Sequence, residues 1–177
     1  MGDIWLISDT HFNHTNILKF VDNTTGDLVR PGFNDTEDMD QHMVDCWNSV
    51  VKHGDKIYHL GDVVLGQHEE EWMKTNWPKL NGKKNLILGN HDNYKMLARG
   101  GFFSNIYESR DLREFGLLLT HRPAHDSQLW DFTNNRPMKS CHGHIHQRHS
   151  PSANHINLSV ELINYTPVNI EDLRIYS

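Results

Sequence analysis

Short apolar runs, each broken by a turn residue and followed by polar side chains, set the rhythm of this sequence. Ile4, Trp5, Leu6 and Ile7 form the first, a continuous run of the kind found in strands buried on both faces. Residues 57–60 and the run Leu86, Ile87, Leu88 read the same way, the latter ended by Gly89. Residues 102–108, 115–120 and 138–141, and a closing pair around 156–160 and 166–176, complete the predicted strands. Between the strands the period changes. Met39, Met43, Trp47 and Val50 recur near helical spacing, which predicts a core-facing helix opened by a capping-box variant of Asn34 and Glu37. Residues 14–21 predict a short helix and 68–80 a longer one, whose Glu69–Glu71 run suits the positive end of a helix dipole. A further helix at 93–99 is stopped by Gly100 and Gly101. Residues 22–32 read as a turn-rich loop and 124–137 as loop with short helix. No linker, repeat or low-complexity tract interrupts the pattern, so residues 1–177 are read as a single α/β (α+β) domain.

Composition narrows the setting. A net charge of −6 argues against a protein whose main work is gripping long nucleic acid, which needs a basic stripe. Cys46 and Cys141 are too few for a disulfide framework and predict a reducing, cytoplasmic setting. No apolar run approaches the roughly 18 residues of a membrane helix. The start of the chain lacks the basic and apolar regions of a signal peptide. Met1-Gly2 suggests myristoylation, but Leu6 stands where that motif needs Ser or Thr. Histidine changes the picture most: the 14 His residues crowd beside Asp and Asn, which points to metal binding before any motif is named.

The clusters are not scattered. Five times a predicted strand ends in one or two ligand-type side chains: Asp9 and His11, then Asp62, Asn90 with His91, His121, and His144 with His146. Any one of these is ordinary loop vocabulary, but five in succession at strand exits form a pattern. The set offers nitrogen and oxygen without thiolate, which disfavours a Cys-rich structural zinc site. It suits Mn²⁺, Fe²⁺, Ni²⁺ or Zn²⁺ held by imidazole and carboxylate. Asp9, His11, Asp62, Asn90, His121, His144 and His146 exceed the needs of one ion and fit two divalent ions sharing a carboxylate.

Taken together, Asp9-x-His11, Gly61-Asp62, Gly89-Asn90-His91-Asp92, His121 and Gly143-His144-x-His146 resemble the calcineurin-like metallophosphoesterase superfamily. The resemblance spans nearly the whole chain, and the short length is similar to the compact bacterial and phage-type phosphodiesterases. It implies a four-layer αββα sandwich, two mixed β-sheets packed face to face with flanking helices, and metals at the strand ends. It implies that Asp9, His11 and His146 hold one ion, that Asp62 bridges, and that Asn90, His121 and His144 hold the other. His91 would be the catalytic imidazole acting on the leaving oxygen. The implied reaction is hydrolysis of a small or nucleotide-like phosphodiester by hydroxide shared between the ions. Arg122 would offset phosphoryl charge, or else form a surface ion pair. Asp92 would orient His91, or cap the following helix. His14 and His142 lie near ligands and contact substrate or simply pack. Protein Ser/Thr phosphatases continue their second block with Asp and Arg, whereas Gly61-Asp62 runs into Val63, Val64 and Leu65. The insertions of the double-strand-break nucleases are also not evident. The alternatives carried are a phosphomonoesterase and a non-catalytic, metal-bound interaction module, with homo-oligomerisation open.

Overall fold

The computed structural model describes residues 2–176. In chain order it comprises β1 (Ile4–Ile7), α1 (Thr36–Val50), β2 (Lys56–His59), α2 (Glu69–Asn76), β3 (Lys83–Ile87) and α3 (Tyr94–Gly100). There follow β4 (Asn105–Tyr107), β5 (Ser109–Leu112), β6 (Leu117–Thr120), β7 (Trp130–Asp131), β8 (Arg136–Pro137), β9 (Lys139–His142), β10 (His155–Asn157) and β11 (Val168–Asn169). One sheet has the order β11-β1-β2-β3-β4 and the other β10-β9-β6-β5, with β7 and β8 forming a separate hairpin. Both sheets are mixed: β1 to β4 run parallel with β11 antiparallel, while β6, β9 and β10 run parallel with β5 antiparallel.

Strand alternation builds two cores from one run of residues. Leu6 turns toward the second sheet, where it joins Leu60, Ile87, Leu117, Leu119 and Cys141 in the layer between the sheets. Ile7 turns the other way with Ile57 and Leu86, beneath Met39, Met43, Trp47, Met73 and Leu97 of the helices. This explains why the β1 run is apolar throughout. The stripe predicted for α1 is therefore core, with Met39 and Trp47 fully buried. The outer face of the second sheet is covered more thinly. Leu118 meets Ala124, Leu129 and Met138, which flank a 3-10 turn at Asp126–Gln128 and the β7–β8 hairpin. The molecule is an α+β sandwich of two mixed sheets, with α1, α2 and α3 over the first sheet.

Several boundaries differ from the sequence-based expectation, each for a local reason. Asp35, not Asn34, caps α1 by accepting the Asp38 N–H at 2.9 Å, while Asn34 bonds to the Asp38 carboxylate. The segment predicted as a helix over 14–21 is a 3-10 turn at Thr15–Lys19. The helix predicted to reach residue 80 passes into a 3-10 turn at Trp77–Lys79, where Pro78 lacks an N–H to continue α2. The last strand is only β11, followed by a 3-10 turn at Ile170–Asp172. β5 is an edge strand of sequence Ser-Arg-Asp-Leu, mostly exposed, and such a strand carries no apolar signature. Both cysteines are free thiols. Among the described residues no helix is long and apolar enough to cross a membrane.

Parallel pairing is what gathers the chemistry. β1, β2 and β3 run the same way in adjacent register, so the loops that leave them emerge side by side. β6 and β9 do the same in the second sheet.

Candidate metal centre

The loops after β1 and β2 are joined by backbone hydrogen bonds, Asp9 N–H to Gly61 C=O at 3.0 Å and His11 N–H to Asp62 C=O at 3.1 Å. Asp9, His11, Asp62, His144 and His146 all have left-handed backbones, with φ of 56°, 47°, 57°, 69° and 52°. That conformation is disfavoured for residues with a Cβ and persists where surrounding structure enforces it, often at functional sites. Neighbouring glycines make room. A Cβ on Gly143 would collide with the Asp9 carboxylate and Ser8 Oγ, and one on Gly89 with the Asp62 carboxylate. Gly61, at φ 102°, would place a Cβ 2.6 Å from both Gly89 Cα and His121 Nδ1. The glycines before Asp62, Asn90 and His144 are thus steric requirements.

Two triads result, Asp9–His11–His146 and Asp62–His121–His144, and within each the ligand atoms lie within 4.8 Å of one another. Asp62 Oδ2 is 3.4 Å from His121 Nε2 in its own triad and 3.7 Å from His11 Nε2 in the other. Asn90 Oδ1 lies 3.0 Å from His121 Nε2. All seven ligands expected from the sequence therefore converge. Asp9 Oδ1 and His11 Nε2 are buried without a hydrogen-bond partner among the described residues. Unpaired buried acceptors of this kind are costly unless a cation completes them, so the donor set fits a divalent ion. Burial, with Arg30 adding to it, pulls the His11 pKa down to about 2. Burial, then His121 and Arg122, pulls His144 to about 4. Both imidazoles are neutral at pH 7 with lone pairs to offer. Burial alone would raise the Asp62 carboxyl, but the His121 hydrogen bond and charge and the His91 amide hold it below the carboxylate range.

Supporting groups came from positions the sequence pattern did not mark. His121 Nδ1 donates to Leu60 C=O at 2.8 Å, which directs Nε2 toward Asp62. His146 Nδ1 meets Glu161 Oε1 at 3.0 Å, and Arg30 Nε donates to the same oxygen at 2.8 Å. Arg30, 1% exposed, also donates to Thr10 C=O at 2.7 Å and Asp9 C=O at 2.5 Å. One buried guanidinium thus ties the backbone of the first ligand loop to the carboxylate behind His146. Its charge draws the Glu161 carboxyl down to about 2 against the upward push of burial. Asp9 Oδ2 accepts the His144 N–H at 2.9 Å and Ser159 Oγ–H at 3.2 Å, leaving Oδ1 free. Arg30 sits in the turn-rich loop read over 22–32, and Glu161 lies just beyond the strand predicted over 156–160, so no spacing pointed to either.

The expected catalytic residues divide. His91 is exposed at the rim, its ring centroid 5.9 Å from that of His11 and its N–H on Asp62 Oδ1 at 2.9 Å. Arg122 is exposed beside the second triad, with Nη2 3.5 Å from Asn90 Oδ1. Asp92 neither orients the His91 ring nor caps α3. Its oxygens accept the backbone N–H groups of Asp62, Val63 and Gly89 at 3.0, 2.9 and 2.8 Å, binding the loops after β2 and β3 together. Asn93 caps α3 instead. His14 lies tilted against His11, with ring centroids 5.6 Å apart. His142 is fully buried, with hydrogen-bond partners Ser150 Oγ and Gly143 C=O, and holds the loop that carries His144 and His146.

Fold and site together define an α+β sandwich with two Asp/His groups at its strand ends that could each hold a cation. No family model matches the sequence. The uncharacterized protein MJ1445 of Methanocaldococcus jannaschii is 34% identical over 178 residues, covering 97% of this chain and 89% of that protein. The chain belongs to the family of that protein. The gene 66 proteins of mycobacteriophages L5 and D29 are 31% and 32% identical over 93 and 94 residues, each match covering 52% of this chain and 41% of the phage protein. Among solved structures, the protein of unknown function AQ665 from Aquifex aeolicus superposes with a TM-score of 0.73 at 28% identity, covering 98% of both chains.

Proposed function

We propose that this protein is a dinuclear-metal-dependent phosphoesterase that hydrolyses small or nucleotide-like phosphodiesters. The observation that carries this reading is the reach of Asp62 Oδ2 to histidines of both triads, 3.4 Å to His121 and 3.7 Å to His11. One carboxylate between two nitrogen-rich triads is the arrangement two neighbouring cations need. When bound, paired divalent ions lower the pKa of water and offset charge on phosphoryl oxygens. The mixed imidazole and carboxylate donors accommodate Mn²⁺, the ion we propose, with Fe, Ni or Zn as alternatives, and the free thiols suit a cytoplasmic setting. The chain's own groups supply the rest. Arg122 beside Asn90 binds a non-bridging phosphoryl oxygen, placing the phosphorus between the triads. His91, exposed at the rim on the backbone tether to Asp62, gives a proton to the departing ester oxygen. Asp92 keeps the Asp62 and Asn90 loops in mutual register through its three amide contacts.

Elemental analysis and hydrolysis of bis(p-nitrophenyl) phosphate test the reading together. The expected result is two equivalents of metal per chain and turnover that Mn²⁺ supports. Turnover that survives exhaustive chelation would overturn it, as would failure of the folded chain to take up metal.

A further inference from the structure

Beside His146 the surface opens into a cavity of about 380 Å³, within the size range of small-ligand sites. Phe20, Val21 and Val29 form one wall, and His146, Gln147 and Arg148 form the other. His146 belongs to both the cavity lining and the first triad, so the cavity adjoins that triad. The apolar wall is held in place by its own hydrogen bonds: Val29 N–H donates to Phe20 C=O, and Asp22 N–H to Asp27 C=O, both at 2.8 Å. Gln147 Nε2 donates across to Asp22 Oδ2 at 2.5 Å and joins the two walls. Yet Phe20 and Val21 remain 48% and 49% exposed. Large apolar side chains kept together at a surface beside a reactive centre mark a binding wall. The Phe20 ring stands edge-on to His14 at 5.6 Å, and His14 lies 5.6 Å from His11, so one imidazole separates Phe20 from the first triad. Beside the second triad, the lining around Asn90, His121 and Arg122 has no Phe, Tyr or Trp among the described residues.

Resting on the phosphoesterase reading, we propose that this cavity seats a flat aromatic ring carried on an ester oxygen of the substrate, stacked on Phe20. The ring would lie on the His146 side of the phosphorus, and the other ester group on the Arg122 side. A benzenoid ester and a nucleoside share the required ring, and the polar edge of Gln147 and Arg148 can receive the heteroatoms of a base.

Equilibrium titration of the Mn²⁺-loaded full chain with methylphosphonate, phenylphosphonate and a nucleoside 5′-phosphonate tests this without relying on turnover. At least one ring-bearing phosphonate should bind about tenfold more tightly than methylphosphonate, the scale of one good aromatic contact. Which of the two does so tells a benzenoid ester from a nucleoside. In Phe20→Ala the preference should shrink to within about twofold, and Val21→Asp, at an equally exposed position, should shrink it independently. Equal binding of all three by the wild-type chain would overturn the ring assignment while leaving the phosphoesterase reading intact. A preference that survives both substitutions would overturn it too. No binding of any phosphonate by the metal-loaded chain would overturn the phosphoesterase reading and this proposal with it.

Discussion

Asp62 divides its carboxylate between two tasks. Oδ2 faces the histidines of both triads, and Oδ1 accepts the His91 N–H. Asp62→Asn removes the negative charge that the proposed pair of cations would share, while keeping an oxygen in place. Metal content should fall below two equivalents, and turnover with it. Elemental analysis finding two full equivalents in the variant would refute the bridging role. His91 separates catalysis from binding, because its ring stands at the rim while its backbone alone touches a ligand. His91→Ala should keep both metals and the fold while kcat falls roughly 10²–10⁴-fold for esters with an alkoxide leaving group. For p-nitrophenyl esters, whose leaving group needs little protonation, the loss should be much smaller. Equal, small losses on both substrates would leave His91 a packing residue. At this scale the ligands were legible because each follows a predicted strand at its exit. Arg30 and Glu161 were not, because their roles arise from a contact spanning 131 residues of sequence. Asp92 misled because its neighbour in sequence is His91, while its partners in space are amides of another loop.

At the scale of elements, α1 and α2 meet the site through Asp40. This carboxylate, 8% exposed, accepts the Asn13 N–H at 3.0 Å and the Trp72 indole N–H at 2.9 Å, connecting both helices to the loop that carries His11. Burial raises its pKa from the usual 3.8 to about 7 despite those hydrogen bonds. The sign follows from linkage. A carboxyl with a raised folded pKa binds its proton more tightly in the folded state, so stability falls as pH rises from about 4 to about 7. In thermal melts across that window, wild type should lose Tm relative to Asp40→Asn as pH increases, whatever the offset at the acid end. Parallel curves would show that Asp40 titrates normally. Long periodic segments such as α1 and the apolar strands β1 to β3 were readable, because burial on one or both faces stamps a period on the sequence. The exposed edge strand β5 and the two-residue strands of the β7–β8 hairpin were not, since backbone pairing alone defines them.

The whole molecule places five left-handed ligand residues and several buried ionisable groups at one edge of the sandwich. Strand order, which produces this convergence, is invisible in local patterns; it depends on which parallel crossovers form. The resemblance to a known superfamily supplied the two-sheet arrangement in advance, but not the thin cover over the second sheet. Such an edge is costly to the apoprotein. The Asp9 carboxyl is pushed up by burial, and its Oδ1 has no hydrogen-bond partner among the described residues. A cation that binds the folded chain and not the unfolded one relieves this, and by mass action it stabilises the fold by about 2.7 kcal/mol at a hundredfold excess over Kd. For a domain of this size that corresponds to roughly 5–10 °C in Tm. Treatment with EDTA should therefore lower Tm and abolish phosphodiester turnover together, and added Mn²⁺ should restore both over the same concentration range. The coupling matters more than either loss alone. A Tm that does not respond to Mn²⁺ would mean the triads hold no ion in the folded chain. Restoration of stability at concentrations far below those that restore turnover would mean that one tightly held ion supports the fold and a second, weaker one completes the chemistry.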